Sequence, residues 1–182
     1  LLPVTEDEVD ASLSCQKSSA PSTIGVSPAD LKTVKDKLLS PLAVVFSWCL
    51  ETATFPKEWL ESSLFFLHKK GDRSNPSNFR TINVQNPFLK CFSKVLTNRL
   101  TKFAEDNKLL PDEQYGFRAK RSAFGAVALL HEIIRSRLQA KQRTYVAFVD
   151  FTKAFDTIDR TLLFSKLQKM SIPYKLCATL FY

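Results

Sequence analysis

Glycine is scarce in this chain, four among 182 residues, and low-complexity sequence is confined to one patch near the N-terminus. A chain so poor in flexible sequence, with 45% hydrophobic residues, does not have a disordered composition. Long apolar runs are missing too. None reaches the roughly eighteen residues that cross a bilayer, so the chain reads as soluble and without a membrane partner. Cys15, Cys49, Cys91 and Cys177 are scattered without close pairs, and His68 and His131 fall near none of them. Neither a zinc site nor a disulfide framework is indicated, and reduced, intracellular thiols are the reading that remains. The chain opens Leu1-Leu2-Pro3 with no initiator Met and continues into acidic residues instead of a basic n-region. No signal peptide can be read, and a fragment is expected at that end.

What is present is core-forming sequence and localised charge. Fifteen Phe supply bulk for one buried core. Net charge is +8, and the stretch from Lys69 to Arg121 carries twelve basic residues against five acidic, which is +7 of it. Concentrated positive charge is the footprint of a phosphate-backbone partner, although a solvated basic surface has the same composition.

Residues 1–27 form an acidic, then Ser-rich segment, with a short helix at Glu6 to Leu13 and a mobile loop. Ser27-Pro28 and Ser40-Pro41 each look like a helix start, because Ser caps orphan amides and Pro is tolerated at the first helical position. Two helices are therefore expected, Pro28 to Leu39 and Pro41 to Ala53. Leu64 to His68 and Phe79 to Val84 are strand candidates around a polar connection, giving a basic hairpin-like unit. Asn86-Pro87 opens a helix whose Leu89, Phe92, Leu96, Leu100 and Phe103 recur at helical spacing, with Lys90, Lys94, Asn98 and Lys102 opposite. Ser122 starts another helix to about Ala140, with Val127, Leu130, Ile134 and Leu138 inward. Thr161 to Met170 and Tyr174 to Tyr182 read as the last helices, parted by Ser171 to Pro173. Few strands among many helices make the class α+β, with a small, incomplete antiparallel sheet.

Tyr145 to Arg160 reads YVAFVDFTKAFDTIDR, an apolar run of strand length that stops at Asp150. A carboxylate just past a strand end, with carbonyls after it, offers the hard oxygen donors Mg²⁺ prefers. An Asp there is also a common helix cap or turn former.

Five segments in order carry a resemblance: FPKEW (Phe55 to Trp59), LFFLHKKGDRSNPSNFRTINV (Leu64 to Val84), LKCFSKVLTNRL (Leu89 to Leu100), LLPDEQYGFR (Leu109 to Arg118) and FVDFTKAFD (Phe148 to Asp156). Together they resemble the reverse transcriptase domain of non-LTR (LINE-type) retrotransposons, with kinship to group II intron enzymes. The resemblance implies the fingers (28–144) and the start of the palm (145–182) of a right-hand polymerase. It also implies an RNA template, a DNA primer, deoxynucleoside triphosphates and two Mg²⁺ ions.

By the same resemblance, Asp150 and the backbone carbonyl of Phe151 would hold metal, and Phe155 would exclude a 2′-hydroxyl. Arg80 and either Lys69 or Lys70 would grip the incoming triphosphate, where a planar guanidinium can bond two oxygens at once. Gln114, Gly116 and Phe117 resemble a block near template and primer, or else a turn docking Phe117 into the core. Lys90, Lys94, Lys102, Arg118, Lys120 and Arg121 are candidates for backbone contact.

Two local departures accompany these matches. Ala20-Pro21-Ser22-Thr23-Ile24-Gly25 stands where the family often has a Pro-Gly-Pro-Asp-Gly loop, and Arg80-Thr81-Ile82 where it usually has Arg-Pro-Ile. The larger departure is that no Asp-Asp pair on an apolar hairpin occurs before Tyr182. Residues 1–182 alone are accordingly expected not to polymerise. The alternative is a non-catalytic nucleic-acid-binding remnant of a retroelement.

Overall fold

The computed structural model describes residues 2–17, 25–152 and 154–180, and the departures at Ala20 to Ile24 lie outside them. The chain divides into two units, Leu1–Phe103 with Phe164–Tyr182, and Ala104–Leu163.

The first unit is helical around one antiparallel hairpin. Its elements are α1 (Glu6–Cys15), α2 (Pro28–Thr33), α3 (Lys35–Thr52), α4 (Lys57–Leu60), β1 (Ser62–His68), β2 (Phe79–Gln85), most of α5 (Pro87–Asp106), the end of α7 (Arg160–Lys169) and α8 (Tyr174–Leu180). Thr5 starts α1 through a capping box: its hydroxyl accepts from Glu8 N at 3.3 Å, and the Glu8 carboxylate accepts from Thr5 N at 3.0 Å. Ser27 and Asp30 repeat the device on α2, with Pro28 at the first helical position.

The Ser40-Pro41 break is not there. α3 runs through Pro41, and the interruption falls at Val34, with φ −108° and ψ 18°. Proline removes the amide that would reach back one turn and crowds the carbonyl there, kinking the helix at a cost of about 3 kcal/mol. Leu42, Ala43, Phe46, Cys49 and Leu50 are buried from the same helix, and that burial outweighs the lost bond.

Asn86 opens α5 as the sequence indicates. Fully buried, it accepts from Phe88 N at 2.9 Å and donates to Glu58 O at 3.1 Å. The helix then buries Cys91, Phe92, Val95 and Leu96. Phe46 meets Phe92 at 5.1 Å and Trp59 at 5.8 Å, the aromatic centre of a core that also takes Val9 and Leu13 from α1 and Leu176 from α8. Ser12, also buried, donates to Cys91 O at 2.7 Å and ties α1 to α5.

The second unit contains α6 (Ala123–Gln139), capped by Ser122, whose hydroxyl accepts from Gly125 N at 3.1 Å. The inward stripe expected on this helix is not buried: Val127 is 64% and Leu138 65% exposed, and Leu130 and Ile134 are half-buried. Among the described residues of the second unit, no other helix or strand packs extensively along α6, so its amphipathic face is little covered there.

Residues 146–149 are likewise exposed and form no strand. A strand exists only as a hydrogen-bonded pair. Among the described residues, β1 and β2 make up the one sheet. Nor, among those residues, is any helix long and apolar enough to cross a membrane.

Candidate functional site

The hairpin gives different places to the two lysines that spacing leaves open. β1 and β2 pair in the register Leu67↔Arg80 and His68↔Phe79, and Lys69 N donates to Asn78 O at 2.8 Å, which carries the ladder one pair further. Alternate residues of a strand share a face, so Lys69 lies on the face of Leu67 and Arg80. Lys69 and Arg80 are diagonal neighbours across the pair, about 7 Å apart at Cβ by strand geometry. Lys70 belongs to the turn. All three cations are exposed.

The turn between them is braced from inside. Asp72 accepts from Ser74 N at 2.9 Å and from Ser74 Oγ at 2.6 Å, and these bonds hold its carboxyl below the usual aspartate range. Asn75 Oδ1 accepts from Ser77 N at 3.0 Å, within a short 3-10 turn at Pro76–Asn78. Asn78 Nδ2 donates to Asp72 O at 2.8 Å, and His68 Nε2 lies 3.0 Å from Gly71 O. On the opposite face of the hairpin, the His68 and Phe79 rings meet at 5.2 Å.

On α5, Lys90 and Lys94 are one turn apart and line a groove with Lys17, Cys15, Gln16, Ser93 and Thr97. Lys102 is exposed on the same helix. Arg99, counted in the basic stretch by composition, is committed elsewhere. It forks onto Glu8 at 2.7 Å through Nε and Nη2, and it donates to the carbonyls of Leu2 and Pro3 at 2.8 Å. Arg99 holds the Glu8 carboxyl below its ordinary value.

In the second unit, Arg118 forks onto Glu105 at 2.9 and 2.7 Å and donates to Pro111 O at 2.7 Å. Arg121 pairs with Asp112 at 2.9 Å, with its guanidinium 5.3 Å from the centre of the Tyr115 ring. These two arginines close the connection after α5. Lys120 is exposed, and Gln114 Nε2 donates to Gly116 O at 3.2 Å.

Phe117 is not docked in the core. It is 96% exposed, on a left-handed backbone of φ 61°, with its ring 6.5 Å from that of Phe155. Asp150 and Phe151 lie exposed in the same irregular stretch as Phe155. Asp159 starts α7, its carboxylate accepting from Leu162 N at 3.0 Å. Among the described residues, no three His, Cys, Asp or Glu side chains come together as a metal-holding group.

Comparison with known proteins gives these positions a context. The family described as "Reverse transcriptase (RNA-dependent DNA polymerase)" matches residues 67–182. The chain is 28% identical over 166 residues to the "Probable RNA-directed DNA polymerase from transposon BS" of Drosophila melanogaster, covering 91% of this chain and 18% of that protein. It is 28% identical over 147 residues to the "RNA-directed DNA polymerase from mobile element jockey" of the same organism, covering 79% and 16%. A "Retrovirus-related Pol polyprotein from type-1 retrotransposable element R2" of Nasonia vitripennis is 21% identical over 174 residues, covering 96% and 16%. The chain thus spans less than a fifth of the length of these relatives.

Proposed function

The chain belongs to the reverse transcriptase (RNA-dependent DNA polymerase) family, among relatives from non-LTR retrotransposons, and from that premise we propose that it forms the fingers and the beginning of the palm of an RNA-directed DNA polymerase. The observation that carries this reading is the shared face of Lys69 and Arg80. Two exposed cations on one face of a braced hairpin suit an oligophosphate. The Arg80 guanidinium would bond two phosphate oxygens, with Lys69 as a neighbouring point charge.

Around that grip, Phe155 would pack against the sugar and exclude a 2′-hydroxyl. Lys90, Lys94, Lys102, Gln114, Gly116 and Lys120 would face the backbones of RNA template and DNA primer. Arg118 and Arg121 would serve the same surface by shaping the loop that carries Gly116 and Lys120.

Asp150 and the Phe151 carbonyl fit Mg²⁺ in kind, as hard oxygen donors, but not in number. Two such ions, when bound, supply Lewis-acid neutralisation of charge at the attacking and leaving oxygens. One carboxylate does not hold two ions, so residues 1–182 alone bind nucleotide and nucleic acid without polymerising. A second reading, a non-catalytic nucleic-acid-binding remnant, would rest on the groove lined by Lys90 and Lys94 alone.

Calorimetric titration with dTTP in magnesium buffer tests the proposal. Arg80→Ala and Lys69→Ala each weaken binding about tenfold, the scale of one charged hydrogen bond, and Lys70→Ala weakens it less. Binding that ignores both Arg80→Ala and Lys69→Ala sinks the polymerase reading. Absence of dTTP binding alongside salt-dependent primer–template binding supports the remnant.

A further inference from the structure

Lys69 and Arg80 sit on one face at a cost. Like charges at diagonal cross-strand positions repel, and Asp72, the acid of their connecting loop, spends its carboxylate on Ser74. Something must hold the loop in the shape that keeps both cations there. Asn78 is tied at three points: its carbonyl accepts from Lys69 N at 2.8 Å, its N–H donates to Asn75 O at 3.0 Å, and its side chain donates to Asp72 O at 2.8 Å. The side-chain bond spans the loop.

Gly71 is the other half of the device. Its φ of +85° is a conformation L side chains rarely adopt. A Cβ there would lie 2.7 Å from Asn78 Nδ2 and 3.2 Å from Asn78 Cγ. A side chain at 71 would therefore meet the very amide that braces the loop, and its backbone would be strained besides.

We propose that Asn78 and Gly71 are positioning residues for an anion-binding pair, setting Lys69 and Arg80 for the phosphates of a nucleoside triphosphate without touching the ligand themselves. The inference rests on the triphosphate-gripping reading given above. In this role the loop preorganises the two cations before the ligand arrives, which lowers the cost of binding. Neither residue carries charge, so the electrostatic contribution to binding stays with Lys69 and Arg80.

Isothermal titration of the full chain with inorganic tripolyphosphate, at several salt concentrations, tests this. Asn78→Ala and Gly71→Ala are each expected to weaken binding about five- to tenfold, while the salt dependence stays that of the unsubstituted chain because no charge is removed. Arg80→Ala is expected to weaken binding and also to flatten the salt dependence. Lys37→Ala, a remote exposed position on α3, controls for net charge and leaves binding unchanged.

If Arg80→Ala weakens binding but Asn78→Ala and Gly71→Ala do not, the positioning role is overturned while the grip stands. Should tripolyphosphate fail to bind, or bind equally well to Arg80→Ala, the grip falls and the positioning role with it. Circular dichroism checks that each variant keeps its helices. The core lies in other elements, so a loss of helix would mean that Asn78 or Gly71 supports the fold and would count against the proposal.

Discussion

The rings of Phe117 and Phe155 meet edge to face, centroids 6.5 Å apart and planes at 81°, although the two residues are 96% and 81% exposed. Phe117 keeps a left-handed backbone that costs about 1–3 kcal/mol in a residue with a side chain. By the proposed reading, this pair would stand beside the sugar and base of the incoming nucleotide. Phe117 is thus a ring neighbour of the residue proposed as the sugar gate.

In a polymerase containing this chain, Phe155→Val should reduce the preference for deoxynucleotides over ribonucleotides by at least about 10-fold, the scale of one methylene in a hydrophobic pocket. Single-nucleotide incorporation with dTTP and UTP measures it. An unchanged ratio would remove Phe155 from the sugar site.

A second prediction concerns Arg99 and Glu8. Their fork, with the bonds to Leu2 and Pro3, fastens the N-terminal segment to α5, and Arg99→Ala should cost about 1–2 kcal/mol after allowance for solvent screening. The pH dependence has a definite sign. Glu8 is held below its ordinary value of 4.5 in the folded chain, first by the Arg99 hydrogen bond, against a smaller opposing effect of burial. A lowered carboxylate contributes stability that is full above 4.5 and is lost as pH falls through the folded value. Urea melts of both proteins should differ by a constant amount at neutral pH, with the gap narrowing below about pH 4.5. A gap that widens in acid would contradict the assignment.

The features legible in the sequence are the local ones. α5 could be read from Asn86-Pro87 and the spacing of Phe92 and Leu96, because a helix satisfies its own backbone and its cap lies beside it. The hairpin could be read as well, since its strands are adjacent in the chain. Val146 to Val149 misled because a strand depends on a partner that no local pattern names. By sequence, Arg99 counts toward the basic stretch and Arg118 is a candidate for backbone contact; in the structure each is forked onto a carboxylate, 91 residues away for Glu8 and 13 for Glu105. Lys69 and Lys70 are equivalent by composition, and only the register with Asn78 and Arg80 separates them. Pro41 shows the opposite error, a strong local signal overridden by the burial of Phe46 and its neighbours.

The groove on α5 yields a third prediction. Lys90 and Lys94 face it together and one turn apart, so both can meet successive phosphates of one strand. Replacing both with Ala should weaken primer–template binding and lower the slope of log affinity against log salt by about 2, near one per phosphate contact. Fluorescence anisotropy across a salt series reads both quantities. Weaker binding at an unchanged slope would mean that the lysines shape the helix surface without contacting phosphate.

Arg118 gives the sharpest contrast between contact and support. Its fork onto Glu105 and its bond to Pro111 O close the connection that carries Gly116, Phe117 and Lys120, and with it the setting of the Phe117 ring. Lysine retains the charge but cannot make the planar two-pronged bond. Arg118→Lys should therefore fail to restore what Arg118→Ala loses, namely amide protection of residues 109–121 in hydrogen exchange. The Glu105 carboxyl is held below its ordinary 4.5, first by the Arg118 hydrogen bond, so protection of the same amides should also decline in acid below that pH. If Arg118 acted instead as a direct phosphate contact, the outcome would differ in kind. Arg118→Lys would then keep nucleic-acid affinity, Arg118→Ala would lower the salt slope by about 1, and protection of the loop would stay as it was.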